Sequence, residues 1–157
     1  MPPPAILDPA QLDFKRLVAD RAEIERVNPH RHEFSLLDAV LMLDTERAIY
    51  AGYHDIRADA FWARGHIPGR PLFPGVLMIE AAAQLASYLY HKVFSGQSFL
   101  GFTGVDGVKF RGIVEPPCRL VIVGQGLQMK PRRMICHSQG FVGTAMVFEG
   151  EITGMPV

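Results

Sequence analysis

The 157-residue sequence predicts an α+β fold in which a curved antiparallel sheet wraps around one long central helix. Two observations lead there. Residues 76–92 contain neither glycine nor proline and are apolar on nearly every side, so they form a buried helix and not an amphipathic surface one. Strand-like runs lie in blocks before and after this helix, without the strand–helix alternation that a parallel doubly wound sheet requires. A helix that is apolar all round needs cover on all sides, and a curled antiparallel sheet provides most of it.

In chain order, residues 1–5 form a proline-rich tail expected to be loosely held. Asp8-Pro9-Ala10-Gln11 has the form of an N-cap, a first-turn proline and a capping-box glutamine, which predicts a helix over residues 9–22. Residues 34–43 and 48–56 predict two strands joined by a hairpin turn at Asp44-Thr45-Glu46. Phe61 and Trp62 lead into a loop rich in proline and glycine. After the helix, strands are expected over about residues 99–113, 119–128, 133–141 and 144–152. The organisation expected is an extension with a short helix over residues 1–22, then one domain over 23–157. No internal repeat is visible.

Composition narrows the function. Hydrophobic residues make up 48% and charged residues 20%, which indicates a folded soluble domain. The formal net charge of +0 argues against a general nucleic-acid binder. The longest apolar stretch carries Glu80 and Gln84, so it is a core helix and no membrane span is expected. The N-terminus lacks a basic region followed by an apolar core, and a cytoplasmic location is expected. The two cysteines, Cys118 and Cys136, have no metal-binding spacing and are expected to be reduced core residues. Among the six histidines only His30 and His32 lie close together, so no metal site is expected.

The chemistry concentrates around the helix start. Glu80, Gln84, Ser87 and His91 recur at helical spacing and draw one narrow polar stripe down the helix. A carboxylate on a buried helix is costly unless paired, hydrogen-bonded or neutralised. Just upstream, Gly65-His66-Ile67-Pro68-Gly69-Arg70-Pro71 holds a histidine in a stiff, non-helical segment. Between the two, the free N–H groups near Gly75 and Val76 offer a site for an oxygen that gains negative charge. From the residues alone, two readings stand: an acid/base pair, or a loop histidine beside a half-exposed structural glutamate.

The run GHIPGRPLFPGVLMIEAAAQ, residues 65–84, resembles the signature of the beta-hydroxyacyl-acyl carrier protein dehydratases of the hot-dog fold. That signature runs Gly-His-Phe-Pro, then Pro-Gly-Val, then Ile-Glu-Ala, with a glutamine one helical turn on. His66, Gly75, Glu80 and Gln84 fall at its spacings, while Ile67 stands where phenylalanine is usual. IERVNPHR (24–31), Phe34-Ser35-Leu36-Leu37-Asp38 and Val108-Lys109-Phe110-Arg111 also resemble family segments. Pro116-Pro117-Cys118 departs from the family's Pro-Gly-Asp turn.

The resemblance implies a lyase that removes water from a 3-hydroxyacyl thioester. His66 and Glu80 would be the catalytic pair, and Gly75, Val76 and Gln84 the substrate-binding set. It further implies an acyl chain on phosphopantetheine carried by acyl carrier protein, no bound cofactor, and a homodimer or a trimer of dimers whose sites are shared between subunits. Since that carrier is acidic, Lys109, Arg111, Arg119, Lys130, Arg132 and Arg133 are candidates for docking it. A hot-dog acyl thioesterase and a non-catalytic acyl-binding subunit are the competing readings.

Overall fold

The long helix, α2 (Gly75–Val93), sets the arrangement of everything else. Pro74 precedes it in an extended conformation, and its last turn carries His91 and Lys92, which complement the negative end of the helix dipole. Ala81, Ala82, Leu85 and Leu89 are fully buried among Val40, Tyr50, Leu120, Ile122, Met134 and Phe148 of the sheet. Each large aliphatic side chain so buried contributes about 1.5–3 kcal/mol. At Gly52 the sheet comes so close that a Cβ would lie 2.6 Å from the Ala39 carbonyl and 3.1 Å from Leu85.

The computed structural model describes residues 1–157. Around α2 runs one seven-stranded antiparallel sheet, and a second helix, α1 (Arg21–Val27), packs beside it. The strands are β1 (Ala19–Asp20), β2 (Ala39–Asp44), β3 (Ile49–Ile56), β4 (Leu100–Phe110), β5 (Cys118–Lys130), β6 (Arg133–Val142) and β7 (Ala145–Pro156). Their order across the sheet is β1-β2-β3-β5-β6-β7-β4. The expected β2–β3 hairpin and the four strands after α2 are therefore present, as is the α+β class. The expected first strand begins later, because residues 32–34 form a short 3-10 turn before Ala39. Both cysteines are free thiols, with Cys136 buried. No helix is long and apolar enough to cross a membrane.

The N-terminal region differs from expectation. No helix spans residues 9–22: Asp8 caps only a single 3-10 turn, Pro9–Gln11, which ends at Leu12. Asp13 then accepts the Lys15 N–H at 3.0 Å, and Val18 N–H donates to the Val40 carbonyl at 2.8 Å. The helix starts instead at Arg21, where the Asp20 carboxylate accepts the Glu23 N–H at 2.9 Å.

The reason is tertiary. Along β5, Leu120 and Ile122 face α2, whereas Val121 and Val123 face the opposite side of the sheet. There they join Leu41, Tyr53 and Phe141 in a second cluster, covered by Ile6, Leu7, Leu12 and Phe14. An extended strap lays these four side chains over the sheet. The tail is also held: buried Gln139 accepts the Ile6 N–H at 2.8 Å and donates to the Pro4 carbonyl at 3.0 Å.

β1 and β4 are the sheet edges. β4 is long and exposes Phe102, Val105 and Phe110, the two aromatics by about half of their surface. Such an edge invites pairing with another chain.

Replacing Gln139 by Leu removes both anchors of the strap. The Ile6 amide is expected to lose its protection from hydrogen exchange while the amides of α2 keep theirs, with a stability loss of about 0.5–1.5 kcal/mol per hydrogen bond.

Candidate active site

His66 is mounted on a loop pinned at both ends. Trp62 and Phe73 are buried against each other edge to face, with ring centroids 5.3 Å apart. Phe73 N–H donates to the Val114 carbonyl and His66 N–H to the Trp62 carbonyl, each at 2.8 Å. Ile67 adopts a left-handed backbone with φ 62°, a conformation that costs a non-glycine residue about 1–2 kcal/mol. A turn closed by Arg70 N–H on the Ile67 carbonyl at 3.0 Å holds it there. The imidazole is exposed, and its Nδ1 lies 2.7 Å from the Leu72 carbonyl. A carbonyl can only accept, so Nδ1 carries the proton and Nε2 presents a free lone pair.

The start of α2 is open. Pro74 supplies no side-chain cap, and the Gly75 and Val76 N–H groups lie in the first turn, where no intrahelical acceptor exists. Val76 is 67% exposed. The ring of Phe110 lies against Gly75, where a Cβ would sit 2.9 Å from the ring carbon Cε1. Only glycine leaves room there for both the aromatic ring and an approach to the backbone.

Glu80 is held from its own helix. Gln84, 2% exposed, donates from Nε2 to Glu80 Oε1 at 2.8 Å and to the Phe34 carbonyl at 2.8 Å. Its Oε1 accepts the Leu36 N–H at 3.1 Å, and its backbone carbonyl accepts from Asn28 Nδ2 at 2.8 Å. The segment 28–36 is thus laced to α2 through this one residue. It also brings His30 Nε2 to 3.6 Å from Glu80 Oε1. Burial pushes the His30 imidazole below its ordinary pKa, and Arg31 adds to that effect while Glu80 opposes it.

Within one chain, Glu80 and Gln84 come together, and His66, Gly75 and Val76 lie on the loop and the helix start. His66 and Glu80 do not approach within ion-pair distance of each other; His30 is the histidine that does. A cleft of about 900 Å³ lies elsewhere, walled by Arg21, His32, Asp38, His54, Phe61 and Trp62. Burial would raise the Asp38 pKa, but His54, the Asp55 N–H and Arg21 together hold it below the usual range. Two of the basic docking candidates are engaged within the sheet. Arg111 pairs with Glu149, and Arg119 makes two bonds to Asp55 and stacks on Tyr53. Lys109, Lys130, Arg132 and Arg133 are exposed. His30 is the residue to which the sequence reading assigned no role in the site; it stood out only as the neighbour of His32 and within the IERVNPHR segment.

A long helix wrapped by a curved antiparallel sheet is the hot-dog fold, and this chain adds to it a histidine loop before the helix and a carboxylate one turn inside it. Solved structures of that fold include the dehydratase heterocomplex ApeI:P from Xenorhabdus doucetiae, with TM-score 0.72 and 14% identity over 85% of this chain and 90% of that one. Another is the sigma28-regulated virulence protein Cj0977 from Campylobacter jejuni, with TM-score 0.67 and 15% identity over 93% and 96% of the two chains. The FabA-like domain family matches residues 28–151. The 3-hydroxyacyl-acyl-carrier-protein dehydratase FabZ of Campylobacter jejuni is 34% identical over 143 residues, 88% of this chain and 97% of its own. That of Albidiferax ferrireducens is 34% identical over 144 residues, 89% and 95% of the two chains. The chain belongs to the FabA-like family of hot-dog 3-hydroxyacyl-acyl-carrier-protein dehydratases.

Gln84→Leu tests the lacing. It leaves the Leu36 N–H and the Phe34 carbonyl without partners, and a loss of about 1–3 kcal/mol in chemical denaturation is expected for each group that stays buried.

Proposed function

We propose that this protein dehydrates a 3-hydroxyacyl thioester carried by acyl carrier protein to the trans-2-enoyl thioester, with His66 and Glu80 as the catalytic pair. His66 Nε2 takes a proton from C2. The Gly75 and Val76 N–H groups receive the thioester oxygen as it gains charge. Glu80 gives a proton to the C3 hydroxyl, the C3–O bond breaks, water leaves, and the C2=C3 double bond forms. Gln84 serves the substrate indirectly, by orienting Glu80. The thioester is its own electron sink, so these steps call for no cofactor.

One observation carries this reading. The Leu72 carbonyl fixes the proton of His66 on Nδ1, which leaves Nε2 as a base. A thioesterase that activates water with Glu80 would give that base no task.

Within this reading the unit of function is a homodimer, with His66 of one subunit facing Glu80 of the other. The exposed aromatic edge of β4, whose Phe110 lies against Gly75 at the site, is the surface we assign to the dimer contact. The catalytic domain comprises residues 23–157; of the extension over residues 1–22, Ile6, Leu7, Leu12 and Phe14 cover the outer face of the sheet, while β1 and the start of α1 join the domain. The exposed Lys109, Lys130, Arg132 and Arg133 remain as the candidates for meeting an acidic carrier.

An assay on 3-hydroxyacyl thioesters that follows both alkene formation and thiol release is expected to show the alkene alone. Thiol release without alkene would favour the thioesterase. His66→Ala is expected to lower the rate by about a hundred- to ten-thousandfold in a folded protein, and Glu80→Gln by about a hundredfold or more. The Glu80→Gln protein should melt no lower than wild type, since glutamine keeps the size of this half-buried side chain and an oxygen for the Gln84 amide. Turnover by either folded variant within about threefold of wild type would remove that residue from the mechanism.

Sedimentation of a dilute, active sample is expected to show at least a dimer. An active monomer would refute the shared site.

A further inference from the structure

We propose that His30 is a positioning residue for Glu80, fixing with Gln84 which carboxyl oxygen carries the acidic proton. The inference rests on the dehydratase reading, in which Glu80 is the acid.

The backbone on either side of His30 is held still. Asn28 donates from Nδ2 to the Gln84 carbonyl at 2.8 Å, and Pro29 restricts the chain between. Arg31 Nη1 donates to the Asn28 carbonyl at 2.9 Å and to the His30 carbonyl at 2.8 Å. The ring is placed too: its side chain is 20% exposed and lies edge-on to Phe99, with centroids 6.4 Å apart.

The tautomer follows from what surrounds the two nitrogens. Nδ1 is buried and has no hydrogen-bond partner. An orphaned N–H is rarer and more costly than a bare acceptor, so the proton belongs on Nε2. Nε2 is the nitrogen that faces Glu80 Oε1, at 3.6 Å. Burial favours the neutral ring against the pull of Glu80, and the nearby Arg31 adds to it, so the group facing Glu80 is a neutral N–H.

That distance makes an electrostatic contact, and catalytic hydrogen bonds commonly tighten when substrate binds. Gln84 directs its own N–H at the same Oε1 from 2.8 Å. One carboxyl oxygen thus faces two donors. A proton on that oxygen would point at other protons, so the acid form of Glu80 carries it on Oε2. The proton to be given to the departing hydroxyl is aimed before substrate arrives.

The test uses the full chain, a 3-hydroxyacyl pantetheine thioester, and two variants. His30→Leu keeps the bulk without a donor, whereas His30→Gln restores an N–H. We expect His30→Leu to lose about ten- to a hundredfold in kcat with KM nearly unchanged, and His30→Gln to recover most of it. Equal loss in both variants, a change in KM alone, or no loss in a folded His30→Leu would overturn the proposal. Nitrogen-15 NMR of the wild-type histidines supplies an arm independent of turnover. It should show His30 as the Nε2–H tautomer, and an Nδ1–H tautomer would overturn the proposal even if His30→Leu does not fold. An inactive wild type with His30 in the Nε2–H form would instead count against the dehydratase reading.

Discussion

A helix whose middle turns are buried needs its polar side chains answered by other parts of the chain, and at Gln84 that demand is met. Its side chain and backbone carbonyl take partners from Asn28, Phe34 and Leu36, and its remaining amide hydrogen holds Glu80. Left unmade, such bonds would cost about 1–3 kcal/mol for each buried group. Made, they tie the segment leading into β2 to the middle of α2. The same residue therefore closes the core and orients the carboxylate that the proposed chemistry uses.

The parts of the site are fixed separately. His66 depends on the buried Trp62–Phe73 contact and on the Leu72 carbonyl, none of which involves Glu80. Glu80 depends on Gln84, deep in α2. The N–H groups at Gly75 and Val76 are free because Pro74 offers no cap. Groups mounted on different rigid supports need little rearrangement when a transition state forms. Ile67 stands in a strained conformation next to the proposed base, where such strain tends to collect.

The site was legible in the sequence to the extent that it is local. His66, Gly75, Glu80 and Gln84 fall within one stretch of 20 residues, and helical spacing places the last two on one face. The strands were legible through their patterning. What covers the outer face was not legible. Asp8-Pro9 is a sound cap signal, yet it starts only one turn, because Leu12 and Phe14 gain more by lying on the sheet than a short isolated helix would return. The partners of Gln84 lie 48 to 56 residues away, and no local pattern announces them. The approach of His30 to Glu80 was illegible for the same reason.

The strap over the outer face has a consequence for the order of folding. Gln139, which holds Ile6 and Pro4, follows them by 133 and 135 residues. During synthesis the strap thus leaves the ribosome long before its anchor exists, and at about 5–20 residues per second that wait lasts many seconds. Throughout that interval Ile6, Leu7, Leu12 and Phe14 have no surface to lie on. Closing so long a loop is entropically slow to begin, so the strap docks as a late event on a sheet already formed. The nascent chain therefore presents a greasy leading segment to chaperones until β6 is complete.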